Sequence, residues 1–402
     1  MIRVTPYYEW ESEEARREFE RDYLRMVAAV TPFFPEDVLF DDPEGLDDCA
    51  KSPRLRRRKK SDRDVDTGIS KLMKAYQVVD GGDLASEAEL AEKIVENYSK
   101  GLHDYLYQDA RGGHVNREKL RELLLTRLPG GQVPACLNFK LDRNDREQKK
   151  HAKALYEYVF CYEEFSKLKN GSGHIGIHDF VARLGVKVCP YCNRLFITTV
   201  NTPNRKVRPQ LDHFRNKNDY PFLALSVNNL IPSCGVCNLL KLTNDEGMIY
   251  PYEESFADEE YIFAADIPLN RTVPALTGIA ISENDFRIRM RFKGAVTDKA
   301  RGKRIEESVK TLALEELYQS HREYVSMLYR QRYILTEKMA QDYYGQFPDL
   351  FSSASDVEFL FALMNTDREH WGDRPLAKLT HDIREEIDEL YADGKGRVNR
   401  EM

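Results

Sequence analysis

Two Cys-x2-Cys pairs, Cys189-Pro-Tyr-Cys192 and Cys234-Gly-Val-Cys237, constrain this chain more than any other feature. Each turn presents two sulfurs together, and four thiolates make a closed tetrahedral set that suits a structural zinc ion. Such a site pins the two ends of the 193–233 insert to one another. Four of the seven cysteines are committed there. Cys49, Cys136 and Cys161 show no framework spacing and read as free, partly buried thiols.

The chain has 402 residues, enough for two or three domains, and its 42% hydrophobic content is that of a globular protein. No apolar run approaches the roughly 18 residues of a membrane span. Met1-Ile-Arg-Val-Thr-Pro-Tyr-Tyr8 has no signal-peptide core. A cytoplasmic protein without membrane contact is expected, a setting in which a disulfide framework is disfavoured. The formal net charge of −7 argues against a surface that binds nucleic acid everywhere. Local charge differs: from Cys189 to Lys241 seven basic side chains face two acidic ones. Arg194, Arg208, Arg215 and Lys217 of this basic island are candidate nucleic-acid contacts.

The expected fold is α+β and mainly helical. Residues 1–170 form an N-terminal helical region, 171–250 the zinc-stapled module, and 251–402 a β segment followed by helices. Helical spacing predicts helices over 13–30, 86–105, 116–128, 147–168 and 177–184. Asn170-Gly-Ser-Gly173 is the clearest linker. Arg54-Leu-Arg-Arg-Arg-Lys-Lys60 reads either as a solvated loop or as a segment contacting phosphate or a partner. Phe286, Ile288, Met290 and Phe292 alternate with Arg287, Arg289, Arg291 and Lys293, a strand with one buried and one basic face. That basic face is either ordinary solvated surface or a nucleic-acid contact. Leu314, Leu317, His321, Val325 and Leu328 make an apolar helical stripe, in which His321 reads as a packed residue rather than a ligand. A final helix is expected over 380–391.

Within the pinned insert, Gln210-Leu-Asp-His-Phe214 reads as the end of a strand. Leu230-Ile231 reads as a second strand, and Cys234 to Lys241 as the start of a helix. The order is β-β-α, and it suits phosphodiester hydrolysis. His213 can take a proton from water near neutral pH. Asp212 and the Asn238 amide are hard oxygen donors for magnesium or manganese. Lys241, three residues after Asn238 on the same helix face, can neutralise phosphate. Neighbouring strand residues point to opposite faces, so Asp212 and His213 share a site only if the strand ends or distorts there.

These residues resemble the HNH endonucleases, also called His-Me finger or ββα-metal nucleases. The likeness runs from Cys189 to Lys241: a cysteine pair, Asp-His, Asn-Leu, then a cysteine pair with Asn and Lys. It implies that His213 is the general base, that Asn229 braces the loop and orients the base, and that Asp212 and Asn238 hold the catalytic ion. Tyr220-Pro-Phe-Leu-Ala224, Pro232-Ser-Cys234, Arg374-Pro-Leu-Ala-Lys-Leu379 and Asp382-Ile383 look like HNH subunits of Septu-type anti-phage defence systems. That likeness implies an ATPase partner subunit. Nucleic acid is the expected substrate, DNA before RNA, with the choice between them and between single and double strands left open by the sequence. The competing reading is a non-catalytic zinc scaffold or adaptor of a nucleic-acid-processing complex. A third is an enzyme silent until a partner supplies a basic surface.

Overall fold

The computed structural model describes residues 2–31, positions 72, 75, 76, 79, 80, 83 and 84, and residues 87–108, 115–171, 173–244, 246–256, 261–268, 281–334 and 337–354. It also describes positions 356, 357 and 360 and residues 367–398. The Arg54–Lys60 run, Cys49 and Ser86 lie outside the described residues. The fold is α+β and mainly helical, with small two-stranded antiparallel sheets. Among the described residues, no helix is long and apolar enough to cross a membrane.

The N-terminal helices are α1 (Glu13–Ala28), α2 (Glu87–Tyr98), α3 (Lys100–Tyr107), α4 (Arg117–Leu124), α5 (Arg146–Ala154) and α6 (Ile177–Arg183). Three expected helices are shorter or broken, each for a local reason. Ser99 is extended and its hydroxyl accepts from the Leu102 N–H, so the helix expected over 86–105 restarts as α3. Asn116 caps α4 through Lys119 N–H, and α4 ends at Leu124, short of Pro129. The helix expected over 147–168 passes from α5 into a π-helical turn at Leu155–Val159 and then a single turn at Tyr162–Phe165.

The strands are β1 (Val79–Asp80), β2 (Asp83–Leu84), β3 (Val200–Asn201), β4 (Lys206–Val207), β5 (Gln210–His213), β6 (Leu230–Ser233), β7 (Tyr261–Asp266) and β8 (Arg287–Phe292). Later helices are α7 (Gly235–Lys241), α8 (Lys299–Thr311), α9 (Leu314–Tyr318), α10 (Arg322–Ile334), α11 (Glu337–Gln346) and α12 (Ala377–Val398). The expected stripe from Leu314 to Leu328 is therefore split, by a 3-10 turn at Gln319–His321, between α9 and α10. Cys161 is buried, whereas Cys136 is exposed.

Two large apolar cores form, and the β5–β6 pair belongs to both. Leu211 and Leu230 belong to the core built by Phe19, Tyr23, Val95 and Phe180 of the N-terminal helices. Ile231 and Phe214 belong to the other, with Tyr250, Phe263, Tyr318 and Ile383. Asp212 pairs with Ile231 and His213 with Leu230 across the ladder. Cross-strand partners share a face, so Asp212 looks toward the second core and His213 toward the first. Apolar and polar contacts also cross position 170: Phe19 stacks on Phe180, and the Tyr23 hydroxyl bonds the Leu225 carbonyl.

The β7–β8 hairpin has both of its edges capped by side chains. Asp382 and Glu386, one turn apart on α12, accept from the N–H groups of Phe263 and Ala265 at 2.8 and 2.9 Å. Glu315 of α9 accepts from Met290 N–H at 2.8 Å, and Gln319 bonds both polar groups of Ile288. Unpaired strand edges are thereby closed to other chains.

Burial drives the Glu386 carboxyl up to about 7, against the opposing pull of the Ala265 N–H and Arg291. The unfolded chain ionises this group near 4.5 while the fold holds its proton until about 7. Stability should therefore fall as pH rises through that window, by up to about 3 kcal/mol. Glu386→Gln should flatten that part of the pH profile in denaturant-unfolding midpoints, and an unchanged slope would contradict the assignment.

Candidate functional site

The four sulfurs of Cys189, Cys192, Cys234 and Cys237 lie within 4.8 Å of one another, all buried. The first pair sits on a tight turn closed by a Val188–Phe196 bridge, with Cys189 N–H bonded to Leu195 O and Asn193 in the left-handed region at φ 50°. The second pair opens α7, where Cys234 caps the helix by accepting from Cys237 N–H. Backbone N–H groups of Arg194, Cys234 and Cys237 point at sulfurs at 3.4 Å. Donors aimed at sulfur favour thiolate, and a closed cage of four can hold a metal such as zinc.

The cage also anchors the distal motif. Asn193 donates to the carbonyls of Trp371 and Arg374, and its backbone carbonyl accepts from Leu376 N–H at 2.6 Å. The Tyr318 hydroxyl bonds the Cys192 carbonyl. Lys378 and Asp382 of that distal segment form a buried ion pair at 2.8 Å.

His213 closes β5. Its Nε2 lies 3.0 Å from the Ala224 carbonyl, and its ring meets Tyr162 edge-on at 4.4 Å between centroids. A carbonyl only accepts, so Nε2 carries the proton and Nδ1 is the lone-pair nitrogen. Burial, then the Lys217 charge, lowers the His213 pKa to about 3, outweighing the Ala224 bond. The ring is therefore neutral at pH 7. Asn229, fully buried, holds this geometry. Its amide donates to the carbonyls of Arg215 and Leu223 and accepts from Arg215 N–H at 2.6 Å. Leu223 immediately precedes Ala224, whose carbonyl orients His213.

Asp212 and Lys241 face the other way. The Asp212 carboxylate accepts from the Tyr191 hydroxyl at 2.6 Å and from Lys241 Nζ at 3.1 Å. Lys241 is wholly buried and also bonds the His213 carbonyl at 2.7 Å. Lys241 was expected to meet phosphate; the short reach from α7 back to β5 turns it inward instead, where it neutralises Asp212. Asn238 remains at the surface of α7, its amide donating to Gln210 Oε1 at 2.7 Å. Asp212, His213, Asn238, Gln210, Arg208 and Lys217 line one cleft of about 430 Å³. The strand ends at His213, so both faces meet at this opening.

The basic island is dispersed. Arg215 is buried on the Gly131 carbonyl at 2.6 Å. Gly131 sits at φ 73°, where a Cβ would collide with Phe214. Arg194 donates to His321 and Ser320, away from the cleft. Arg208 bonds the Ser166 carbonyl, and Lys217 bonds the Tyr156 hydroxyl at 2.6 Å. Arg287, Arg289 and Arg291 are exposed on β8, with Arg289 paired to Glu315 at 3.2 Å. Sequence reasoning missed Tyr191, Tyr162 and Gln210. Gln210 carried a signal, since period 2 places it on the same strand face as Asp212.

Comparison of the chain with family models, curated proteins and solved structures finds no match.

Two outcomes follow from this geometry. Elemental analysis should find one zinc per chain held by the cysteines, and Cys189→Ser should lower both zinc content and melting temperature; a zinc-free wild type of equal stability would refute the cage. Lys241→Ala should destabilise the fold by about 3–5 kcal/mol, because it leaves the Asp212 carboxylate buried without its cation. A chemical-denaturation curve like that of the wild type would show that the pair contributes little.

Proposed function

We propose that this chain is a cytoplasmic, metal-dependent endonuclease of the HNH kind, hydrolysing phosphodiester bonds, with DNA as its substrate. The observation that carries the reading is His213: its Nε2–H is tied to a carbonyl, which leaves Nδ1 as the lone-pair nitrogen, and the residue lines a cleft that also holds hard oxygen donors and cations. The carboxylate of Asp212 and the amide of Asn238 are the donors that fit magnesium or manganese. Such an ion, when bound, stabilises charge on the phosphorane and the leaving oxygen.

The chain's own residues do the rest. Lys217 and Arg208 draw the phosphate into the cleft. Nδ1 of His213 takes the proton of the attacking water. A phosphate anion in the cleft offsets the fields of Lys217 and Lys241, so the proton affinity of Nδ1 rises once substrate is bound. Asn229 keeps the imidazole aimed throughout. The four cysteines act in stability alone, since a closed four-sulfur cage leaves no coordination position open. The resemblance of Tyr220–Ala224, Pro232–Cys234 and Arg374–Leu379 to Septu-type subunits is what supports a role in anti-phage defence with an ATPase partner subunit.

One observation favours the scaffold reading instead: Asp212 is already paired with Lys241 in the interior. The two readings separate on one variant. His213→Ala should cut cleavage of plasmid DNA in magnesium or manganese by about 10²–10⁴, with zinc content and melting temperature unchanged. Cleavage at the wild-type rate would remove the enzymatic reading.

A further inference from the structure

The cleft at His213 does not stop at Lys217. Asn216, Lys217, Asn218 and Thr243 wall that cleft and also wall a second one of about 630 Å³, which runs on over Leu141, Arg143 and one face of α5. The two share these walls and form one groove. Its basic side chains are Arg208, Lys217, Arg143, Lys149 and Lys153; its acids are Asp212, Asp219 and Glu157. Asp212 and Asp219 are buried, the first paired with Lys241 and the second with Arg143. That leaves Glu157 as the exposed acid, facing Lys153 at 3.8 Å with both side chains largely in solvent. Contacts of that kind contribute little. With Arg143 set against Asp219, Arg208, Lys217, Lys149 and Lys153 face one exposed acid in a chain whose net charge is −7.

Lys149 and Lys153 are four apart on α5, about 5–6 Å between their β-carbons. Lys217 stands at the junction of the two clefts, 4.5 Å above the Tyr156 ring. A small anion is held by cations that converge on one point; these are distributed over two adjoining clefts, with Arg208 beside His213 in one, Lys149 and Lys153 in the other, and Lys217 in both.

We propose that this groove is the track of one phosphodiester strand flanking the scissile position, so that the N-terminal helical region supplies the substrate-binding surface. The assignment of its active end rests on the nuclease reading above; the track itself is a binding claim. Single-stranded DNA, single-stranded RNA and duplex DNA all offer this polyanion, and the test separates them.

The full-length chain is titrated with labelled oligonucleotides of each kind, without added magnesium or manganese, and binding is read by fluorescence anisotropy across a salt series. Lys149→Glu/Lys153→Glu should weaken binding at least about tenfold. It should also reduce the slope of log affinity against log salt by about 1.4 for a single strand or about 1.8 for a duplex, two phosphate contacts in either case. Both lysines are exposed, so melting temperature and zinc content should match the wild type. Affinity and slope equal to wild type would overturn the proposal. So would loss of binding in Arg287→Glu/Arg291→Glu while the α5 variant binds normally, or failure of the wild type to bind any of the three. A wild type that binds through α5 yet never cuts would sink the nuclease reading and leave the track standing.

Discussion

The closure of four sulfurs within one small cage is the constraint on which the rest depends. Buried thiolates repel one another, and neutral thiols hold each other weakly, so a cage this tight is one that a metal ion such as zinc can fill. What the cage joins are the Cys189–Cys192 turn and the first turn of α7. The insert between them, with β5 and β6, is then a loop of fixed ends. Its register need only satisfy the ladder between Gln210–His213 and Leu230–Ser233. Asn193 and Tyr318 extend the same anchor to the C-terminal third through hydrogen bonds to backbone. A single metal-sized cluster thereby organises parts of the chain as far apart as Asn193 and Trp371, 178 residues along the sequence.

The position of β5–β6 between two cores decides which way the candidate side chains face. Strict alternation sends Asp212 toward Tyr191 and Lys241, and His213 toward Ala224 and Tyr162. The face problem visible in the Asp-His dipeptide is not solved by distortion. It is solved by ending the strand at His213, where both faces reach the rim of one cleft. The cost of burying an imidazole appears as a depressed pKa, which keeps the ring neutral. A neutral ring with one nitrogen committed to a carbonyl keeps its other lone pair free at pH 7, but its lowered proton affinity makes it a weaker base than an exposed imidazole.

The cage, the β-β-α order and the alternation of β8 were legible in the sequence because each rests on short-range spacing. The Cys-x2-Cys pairs, a period of 2 at Phe286–Phe292 and Asn116 before an apolar run carry their own geometry. What was not legible depended on distant partners. Nothing local to Lys241 distinguishes an exposed cation from one facing a carboxylate 29 residues away. Arg215 looked like its neighbours in the basic island until Gly131 supplied a carbonyl for it. The helix breaks at Ser99 and beyond Ala154 follow from capping and from a π-helical turn, and periodicity alone passes over both.

The basic island shows why a count of charges along sequence misleads. Seven cations between Cys189 and Lys241 suggest a single patch, but folding sends Lys241 and Arg215 inward, turns Arg194 toward His321, and leaves Lys217 and Arg208 at the cleft. Of the exposed arginines of β8, Arg289 pairs with Glu315, an acid recruited to cap the hairpin edge, so part of their field is already neutralised. Lys149 and Lys153 lie outside the island in sequence yet border the cleft in space, beside the exposed acid Glu157. In an acidic chain, the surface that can meet a polyanion is set by which cations the fold leaves without a buried carboxylate. That selection is made by packing of the N-terminal helices against the β5–β6 module, the same contact that buries Leu211 and Leu230 and holds His213 at the rim.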